Sequence, residues 1–229
     1  MTQIPRCFNP PRKTRPRQSD HPIERWLAEF GPMHLEFSDP QAEALAELMP
    51  LLSCGEQSAQ LVFQQAADES ADQQSQLALN EVEFDEARHD IALTWVQEQL
   101  PWLKVSRQAQ RRAQVFYARL GRIEEAQQQF ARIASLDASV TQIMKAMRGS
   151  ELGSQHPFSI LCNLIMRDEA KHVYVARHQA QRLNASAELL HEQGQLIRQQ
   201  LWQMLAHHGH AFEALGVDLD TIHNKVVNS

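Results

Sequence analysis

Two five-residue segments of this chain carry acids and a histidine in the same order. Residues 85–89 read Asp-Glu-Ala-Arg-His, and residues 168–172 read Asp-Glu-Ala-Lys-His. Each contains a Glu-x-x-His pair, and on an α-helix two residues three apart project from one face, about a turn apart. A carboxylate and an imidazole presented in this way can bind one metal ion together, so two such helices facing each other predict a site for two metals. The four candidate ligands are Glu86, His89, Glu169 and His172.

A bundle site of this kind needs two further carboxylates, one from each of two other helices. In antiparallel helices joined by a turn, two ligands at the same height lie equally far from the turn. Their sequence midpoint must therefore fall in the turn. For Glu86 the partner that satisfies this rule is Glu56, because their midpoint lies beside the Ser-Ala-Asp break at residues 70–72.

The second hairpin satisfies the same rule with an aspartate. Asp137 and Glu169 have their midpoint at Gly153, inside the loop predicted at residues 149–157. Asp137 is therefore the sixth predicted ligand, although its side chain is shorter than the glutamate more usual at such a position. That both hairpins obey one rule is stronger evidence for a metal site than either motif alone.

The elements that must position these residues are predicted to be helices. Ala, Gln, Leu and Glu dominate the composition and Gly is scarce, which favours helices over sheet. We expect Pro50 to break or kink the helix that begins near residues 39–40. The predicted helical segments are 22–30, 39–50, 51–69, 72–100, 106–120, 123–148, 158–183, a helix from about 187 to 207, and a short helix from about 218.

Composition and charge limit the kinds of function that fit. Residues 1–17 carry +5 with no acid, and the rest of the chain carries −11, for a net charge of −6. An acidic body argues against nucleic-acid binding, and no apolar run approaches the length of a membrane span. The three cysteines, Cys7, Cys54 and Cys162, show neither a CxxC motif nor the density of a disulfide scaffold. We therefore expect a cytoplasmic protein.

We expect residues 1–20 to form a disordered basic tail and residues 21–229 to form a single helical domain with its metal-binding core at about 51–183. The expected fold class is all-α, a ferritin-like antiparallel four-helix bundle with additional N- and C-terminal helices. The charged Glu and His side chains lie on the apolar faces of their predicted helices. A surface stripe of salt bridges would not place them there, whereas metal coordination would.

The repeated motif resembles the ligand helices of the ferritin-like di-iron carboxylate superfamily. It is similar to those of bacterial multicomponent monooxygenase hydroxylases, of the small subunit of class I ribonucleotide reductase, and of the di-iron N-oxygenases. The resemblance covers about residues 51–183. It departs from the reductase at Leu93, where the radical tyrosine would fall four residues after His89. A reductase-type radical role is therefore not expected.

The resemblance also implies roles for residues around the ligands. Asp85 and Asp168 would accept hydrogen bonds from the ligand imidazoles, and Arg88 and Lys171 would hold those aspartates. Thr141, one turn after Asp137, would be the hydroxyl near the dioxygen site and a proton donor.

The resemblance implies an oxidoreductase that uses two iron ions and dioxygen to hydroxylate, desaturate or N-oxygenate a small organic molecule. Hard oxygen ligands with imidazole suit iron or manganese, so a manganese or mixed manganese–iron pair is an alternative. Electrons would come from an external ferredoxin or reductase, since no flavin or nicotinamide motif is evident. An acyl or peptidyl carrier protein, recognised by the basic tail, is a further candidate partner. The oligomeric state is left open, with a homodimer as one candidate. The alternative functions are iron oxidation and storage, a manganese catalase, and a non-enzymatic helical scaffold.

Overall fold

The part of the chain that the computed structural model describes, residues 5–10 and 20–227, is helical and contains no β-strand. The predicted all-α class is confirmed. No described helix combines the length and the apolar character needed to cross a membrane. The elements are α1 (Pro22–Phe30), α2 (Asp39–Glu69), α3 (Gln73–Gln97), α4 (Lys104–Leu120), α5 (Ala126–Arg148), α6 (Pro157–Arg182), α7 (Ala187–Leu205), a 3₁₀ turn (Ala206–His208), α8 (Gly209–Glu213) and α9 (Leu219–Val227).

Local sequence signals explain where the helices that carry the site begin. Asp72 caps α3 by accepting a hydrogen bond from the Ser75 amide at 2.8 Å, which satisfies one of the free N–H groups of the first turn. His156 caps α6 in the same way, and Pro157 occupies the first helical position, where its missing N–H costs nothing. These caps set the register of the two helices that carry the repeated motif.

Of the two alternatives predicted at Pro50, the break is wrong, because α2 continues through this residue from Asp39 to Glu69. A proline inside a helix removes one backbone hydrogen bond and costs about 3 kcal/mol. The flanking residues Leu48, Met49 and Leu51 are buried, and residues 44–51 all lie in the core. Burial of each large apolar side chain contributes about 1.5–3 kcal/mol, so packing outweighs the cost of the proline.

The helices pack as two hairpins that meet through α3 and α6. The helix α2 lies along α3 after a connection of residues 70–72, and α5 lies along α6 after the loop at residues 149–156. Gly153 in that loop has φ of +85°, a conformation that glycine adopts without steric cost. The helix α4 lies on α2, α7 lies on α5, and α1 packs against both α3 and α6. The motif residues where α3 and α6 meet are buried.

Residues 5–10 pack on the helices, which corrects the expectation of a disordered tail for this part of the chain. The Cys7 amide donates to Gln57 Oε1 at 2.9 Å, and Gln114 of α4 donates to the Cys7 carbonyl at 2.9 Å. Arg6 pairs with Asp90 of α3 at 2.6 Å. The same expectation for residues 1–4 and 11–19 lies outside the described residues, and the single-domain assignment stays a prediction.

Cys7 and Cys54 are joined by a disulfide bond, with their Cα atoms 5.3 Å apart. Nothing in the spacing of the cysteines indicated this pair, since 47 residues separate the two positions. Cys162 is free and buried. The bond ties the N-terminal segment to α2 two residues before Glu56, close to the candidate site.

Candidate metal centre

The two repeated motifs face each other across the contact between α3 and α6. Glu86 and His89 on α3 and Glu169 and His172 on α6 are all buried, and each is 3% exposed or less. The rings of the two histidines lie 5.7 Å apart between centroids. The pairing of the two Glu-x-x-His faces that the sequence predicted is therefore present in the structure.

Glu56 joins this group from α2. Its Oε2 atom lies 3.2 Å from His89 Nδ1, the nearest of the three glutamates to that nitrogen. One ligand atom from each of Glu56, Glu86, His89 and Glu169 lies within 4.8 Å of the others, a spacing that fits a metal-binding group. The midpoint rule thus placed Glu56 at the correct height on α2.

Glu86 and Glu169 each lie near both histidines. Glu86 is 3.1 Å from His172 Nδ1 and 3.7 Å from His89 Nδ1. Glu169 is 3.6 Å from His172 Nδ1 and 3.9 Å from His89 Nδ1. These two glutamates therefore lie between the two halves of the cluster, and Glu56 belongs to the half that contains His89.

Asp137 of α5 completes the set of six. It is buried and lines one small cavity together with Glu56, Glu86 and Glu169. Its Oδ2 atom is buried and has no hydrogen-bond partner among the residues that the structure describes. An unpaired buried carboxylate oxygen costs free energy unless a cation or a proton satisfies it, so its position suits a metal ligand.

Two aspartates hold the histidines, and each does so from the opposite helix. Asp168 on α6 lies 3.1 Å from His89 Nε2, and Asp85 on α3 lies 3.4 Å from His172 Nε2. Both imidazoles therefore direct Nε2 to an aspartate and Nδ1 to the carboxylate cluster. A proton on Nε2 that is hydrogen-bonded to a carboxylate leaves Nδ1 free to bind a cation, the usual arrangement at protein metal sites.

The cations expected to hold these two aspartates are arranged differently from the prediction. Arg88 and Lys171 both pair with Asp85, the former at 3.1 Å. His21, the N-cap of α1, also reaches Asp85 with Nε2 at 3.3 Å. The sequence predicted that these two cations would hold both aspartates, and it gave no indication of His21. Asp168 is instead near His89 and His21.

Burial, together with the crowding of the carboxylates, raises the pKa of Glu56, Asp137 and Glu169. Burial raises the pKa of Glu56, and the charge of Glu86 raises it further. Burial and the charges of Glu169 and Glu86 raise the pKa of Asp137 in the same way. Burial would also raise the pKa of Glu86, but the charge of His172 and hydrogen bonds within the cluster lower it. The cluster therefore favours positive charge, whether protons or metal ions supply it.

The negative charge around the two histidines raises their pKa values. Burial alone would lower the pKa of both imidazoles. The charge of Glu56 and the hydrogen bond to Asp168 instead raise the pKa of His89 well above its ordinary value. The charge of Glu86 and the hydrogen bond to Asp85 do the same for His172.

The donor set fits two divalent cations. Glu56, Glu86, His89 and Glu169 bring their ligand atoms together, His172 lies beside Glu86 and Glu169, and Asp137 lines the same cavity. Two buried atoms, Asp137 Oδ2 and His172 Nδ1, make no hydrogen bond of acceptable geometry with a described residue. His172 Nδ1 does lie 3.1 Å from Glu86 Oε1, so the two groups are close but badly aligned for a hydrogen bond. Oxygen and imidazole ligands without a thiolate favour iron or manganese.

The cavity beside the cluster is small and largely apolar. Its volume is about 40 Å³, room for a few water molecules or a diatomic gas. It is lined by the four carboxylates and by Leu52, Gly55, Ser58, Ala59, Val62, Tyr117, Leu120, Ile133, Leu136 and Val140. The apolar walls keep the cluster in a medium of low polarity.

Thr141, predicted as the catalytic hydroxyl, does not line this cavity, where Val140 takes the corresponding place. The Thr141 hydroxyl donates to the Asp137 carbonyl at 2.9 Å, a bond that threonine commonly makes one turn back along a helix. The catalytic role of Thr141 therefore stays a prediction, and the cavity lining does not support it.

Tyr117 of α4 is the cavity-lining residue that the sequence reasoning missed. It is 6% exposed, and burial together with the charges of Glu56, Asp137 and Glu169 raises its pKa. The one signal in the sequence was the rarity of tyrosine, since Tyr117 and Tyr174 are the two tyrosines of the chain. The helix α4, which carries Tyr117, contains none of the predicted metal ligands. The sequence therefore could not show which face of α4 lies toward the site.

Comparisons of this chain with models of protein families, with curated proteins and with solved structures found no match in any of the three. Support for a function therefore comes from the side chains of this chain and their arrangement.

Proposed function

We propose that this chain is a ferritin-like di-iron carboxylate protein that uses dioxygen to oxidise a small organic molecule. The observation that carries the proposal is the convergence of a Glu-x-x-His pair from each of two helices with Glu56 and Asp137 from two others. This is the ligand pattern of di-iron and di-manganese helical bundles. The four ligand helices α2, α3, α5 and α6, with α1, α4 and α7 outside them, support a ferritin-like bundle.

The charge of the ligand set supports a pair of divalent cations. Four ionised carboxylates carry four negative charges, and two neutral imidazoles carry none, so two divalent ions leave no net charge. A buried centre without net charge avoids the large cost of burying uncompensated ions. Iron is the proposed metal, and manganese or a mixed manganese–iron pair remains the alternative.

Each part of the site has a definite task in this proposal. A bound iron pair would supply electrons to dioxygen. Glu56, Glu86 and Glu169 would hold the metals, with His89 and His172 oriented by Asp168 and Asp85 through their Nε2 protons. The apolar cavity walls would exclude bulk water from the reaction.

The inner cavity, at about 40 Å³, is too small for an organic substrate, which must therefore lie outside it. An open groove of about 600 Å³ adjoins the cavity and shares Ser58, Val62 and Tyr117 with it. Hydroxylation, desaturation and N-oxygenation are all compatible with this arrangement. A ferredoxin or reductase as electron donor, and a carrier protein as bearer of the substrate, complete the proposal.

An anaerobic titration with ferrous ion tests the metal centre directly. We expect the wild-type protein to retain about two metal ions per chain and to consume dioxygen when air is admitted. Glu86→Gln removes one central carboxylate and should abolish most of both effects. Glu81→Gln, an exposed residue of the same helix, is the matched control and should behave as wild type. A wild-type protein that retains neither iron nor manganese, and stays inert when they are supplied, would exclude the proposal.

The small inner cavity also favours a second candidate, a centre that acts on hydrogen peroxide or on iron itself. Both substrates fit a space of about 40 Å³ without any conformational change. A manganese catalase would contain manganese and release dioxygen rapidly from peroxide. An iron-storage protein would elute from a sizing column as a large hollow shell and deposit many iron ions per chain. Metal analysis, an oxygen electrode and size-exclusion chromatography distinguish the three.

A further inference from the structure

The side chain of Tyr117 is fitted against a glycine in the middle of a long helix. Gly55 lies within α2, one residue before Glu56, where glycine costs about 1 kcal/mol relative to alanine. A Cβ atom at Gly55 would lie 2.8 Å from the Tyr117 hydroxyl oxygen and 3.1 Å from its Cζ atom. The missing side chain at Gly55 is therefore what admits the phenol end of Tyr117 beside Glu56.

Tyr117 also lies at the boundary between two spaces. It lines the inner cavity with the four candidate carboxylate ligands, and it lines the outer groove with Phe8 and Arg122. Ser58 and Val62 are the other two residues common to both spaces. Tyr117 therefore lies where the outer groove and the inner cavity adjoin.

We propose that the Tyr117 hydroxyl is the hydrogen-bond donor that holds a small anionic or dioxygen-derived ligand in the inner cavity. The inference rests on the proposed function, because such a ligand needs the metal pair to bind. A phenol has an O–H donor and stays neutral at physiological pH, so it adds a donor without adding charge. Thr141 is less suited to this role, because it is not among the residues that line the cavity and its hydroxyl already donates to the Asp137 carbonyl.

Azide, a small linear anion, is a suitable probe for this donor. The Co²⁺-loaded protein is titrated with azide, and the visible absorbance of cobalt reports binding. A hydrogen bond to a charged ligand contributes enough that Tyr117→Phe should weaken azide binding roughly 10- to 100-fold. Its Co²⁺ affinity should stay within about 2-fold of wild type, because none of the six candidate ligands is changed. Tyr174→Phe, which alters the 70% exposed tyrosine of α6, is the control and should leave both constants unchanged.

A second experiment needs no metal and tests the position of the hydroxyl. Gly55→Ala gains helix propensity but brings a methyl group against the phenol oxygen, so its effect on the melting temperature of the metal-free protein should be less favourable in wild type than in Y117F. In the Y117F background the nearest atom is absent, so the same substitution should cost less. Equal effects of Gly55→Ala in both backgrounds would show that the hydroxyl does not lie against α2, and would overturn the inference.

The outcomes separate this inference from the proposed function. Normal Co²⁺ binding with unchanged azide affinity in Tyr117→Phe overturns the donor role alone. A wild-type protein that fails to bind Co²⁺, Fe²⁺ and Mn²⁺ removes the proposed function and the donor role together. The Gly55 experiment still reports on the packing of Tyr117 in that case.

Discussion

Asp137 differs from the other three candidate carboxylates in having a buried oxygen atom with no hydrogen bond to a described residue. If that oxygen binds a metal, Asp137→Asn should reduce the metal content from about two ions per chain toward one. The substitution removes the charge while keeping the shape. Metal analysis after gel filtration measures the change.

Asp137→Glu supplies the longer acid usual at this position and should retain both metals. Two metals bound by Asp137→Asn with wild-type affinity would show that Asp137 is not a ligand. The centre would then have five protein ligands from α2, α3 and α6.

Asp85 and Asp168 both hold a histidine, but their other contacts differ. Loss of such an outer carboxylate typically weakens metal affinity by about 10- to 100-fold, and we expect this from Asp168→Asn. Asp85 is also paired with Arg88 and Lys171. Asp85→Asn should therefore lower both the metal affinity and the melting temperature of the metal-free protein.

Competitive titration against a metal-binding dye measures the affinity, and circular dichroism measures the melting temperature. An Asp168→Asn protein with wild-type metal affinity would show that the hydrogen bond to His89 does not support metal binding. Equal melting temperatures for the two variants would show that the cations around Asp85 add no stability.

For single residues, the sequence predicted positions that depend on local helix geometry. The Glu-x-x-His pairs share a helix face by backbone geometry alone, and Glu56 and Asp137 follow from the lengths of two antiparallel hairpins. Thr141 does not line the cavity and Tyr117 was missed, because both positions depend on which way a side chain points after the helices pack.

At the scale of elements, most helix ends were predicted within a few residues. The segment 22–30 coincides with α1, and the loop at 149–157 differs from the structure by one residue. Caps and prolines act through nearby backbone groups, so they can be read without knowledge of the fold. Pro50 was the exception, because the burial of its neighbours decides whether the helix continues.

The disulfide between Cys7 and Cys54 joins the N-terminal segment to α2 and closes a loop of 47 residues. Removing a bond that closes a loop of this length costs about 2–4 kcal/mol of unfolding free energy. We expect this loss in the double variant C7S/C54S, measured by chemical denaturation under oxidising conditions.

Treatment of wild-type protein with a reducing agent should produce a loss of similar size, and treatment of C7S/C54S should produce no further change. Wild-type protein whose unfolding free energy does not respond to reductant would contradict the prediction. Gln57, Asp90 and Gln114 would then suffice to hold the segment in place.

At the scale of the whole molecule, metal binding must compete with protons in the buried cluster. The pKa values of His89 and His172 lie well above their ordinary value in the metal-free protein, and that of Glu56 is raised as well. These groups hold protons at neutral pH that a metal ion must displace. Metal binding should therefore release protons, and the affinity should increase as the pH rises.

Calorimetric titration at pH 7 in two buffers of different ionisation enthalpy counts the protons released. The same raised pKa values mean that these groups stabilise the metal-free fold below their unfolded pKa, and that this contribution is lost as the pH rises through the folded values. The melting temperature of the metal-free protein should fall from pH 6 to pH 9, and added metal should restore it. A metal affinity that does not change between pH 6 and pH 8 would contradict this picture.

The helical class, most helix boundaries and the four residues whose ligand atoms lie together, Glu56, Glu86, His89 and Glu169, could be predicted from the sequence alone. Hydrogen bonds within a helix and the spacing of residues along it are local properties, and a repeated motif doubles the evidence. Three features could be read only from the packed molecule: each histidine is held by the aspartate of the opposite helix, residues 5–10 pack on α2 and α3, and Tyr117 lines the cavity. These contacts join residues that are far apart in the chain. Local sequence rules allow many such contacts equally, and the packing of whole helices decides which of them form.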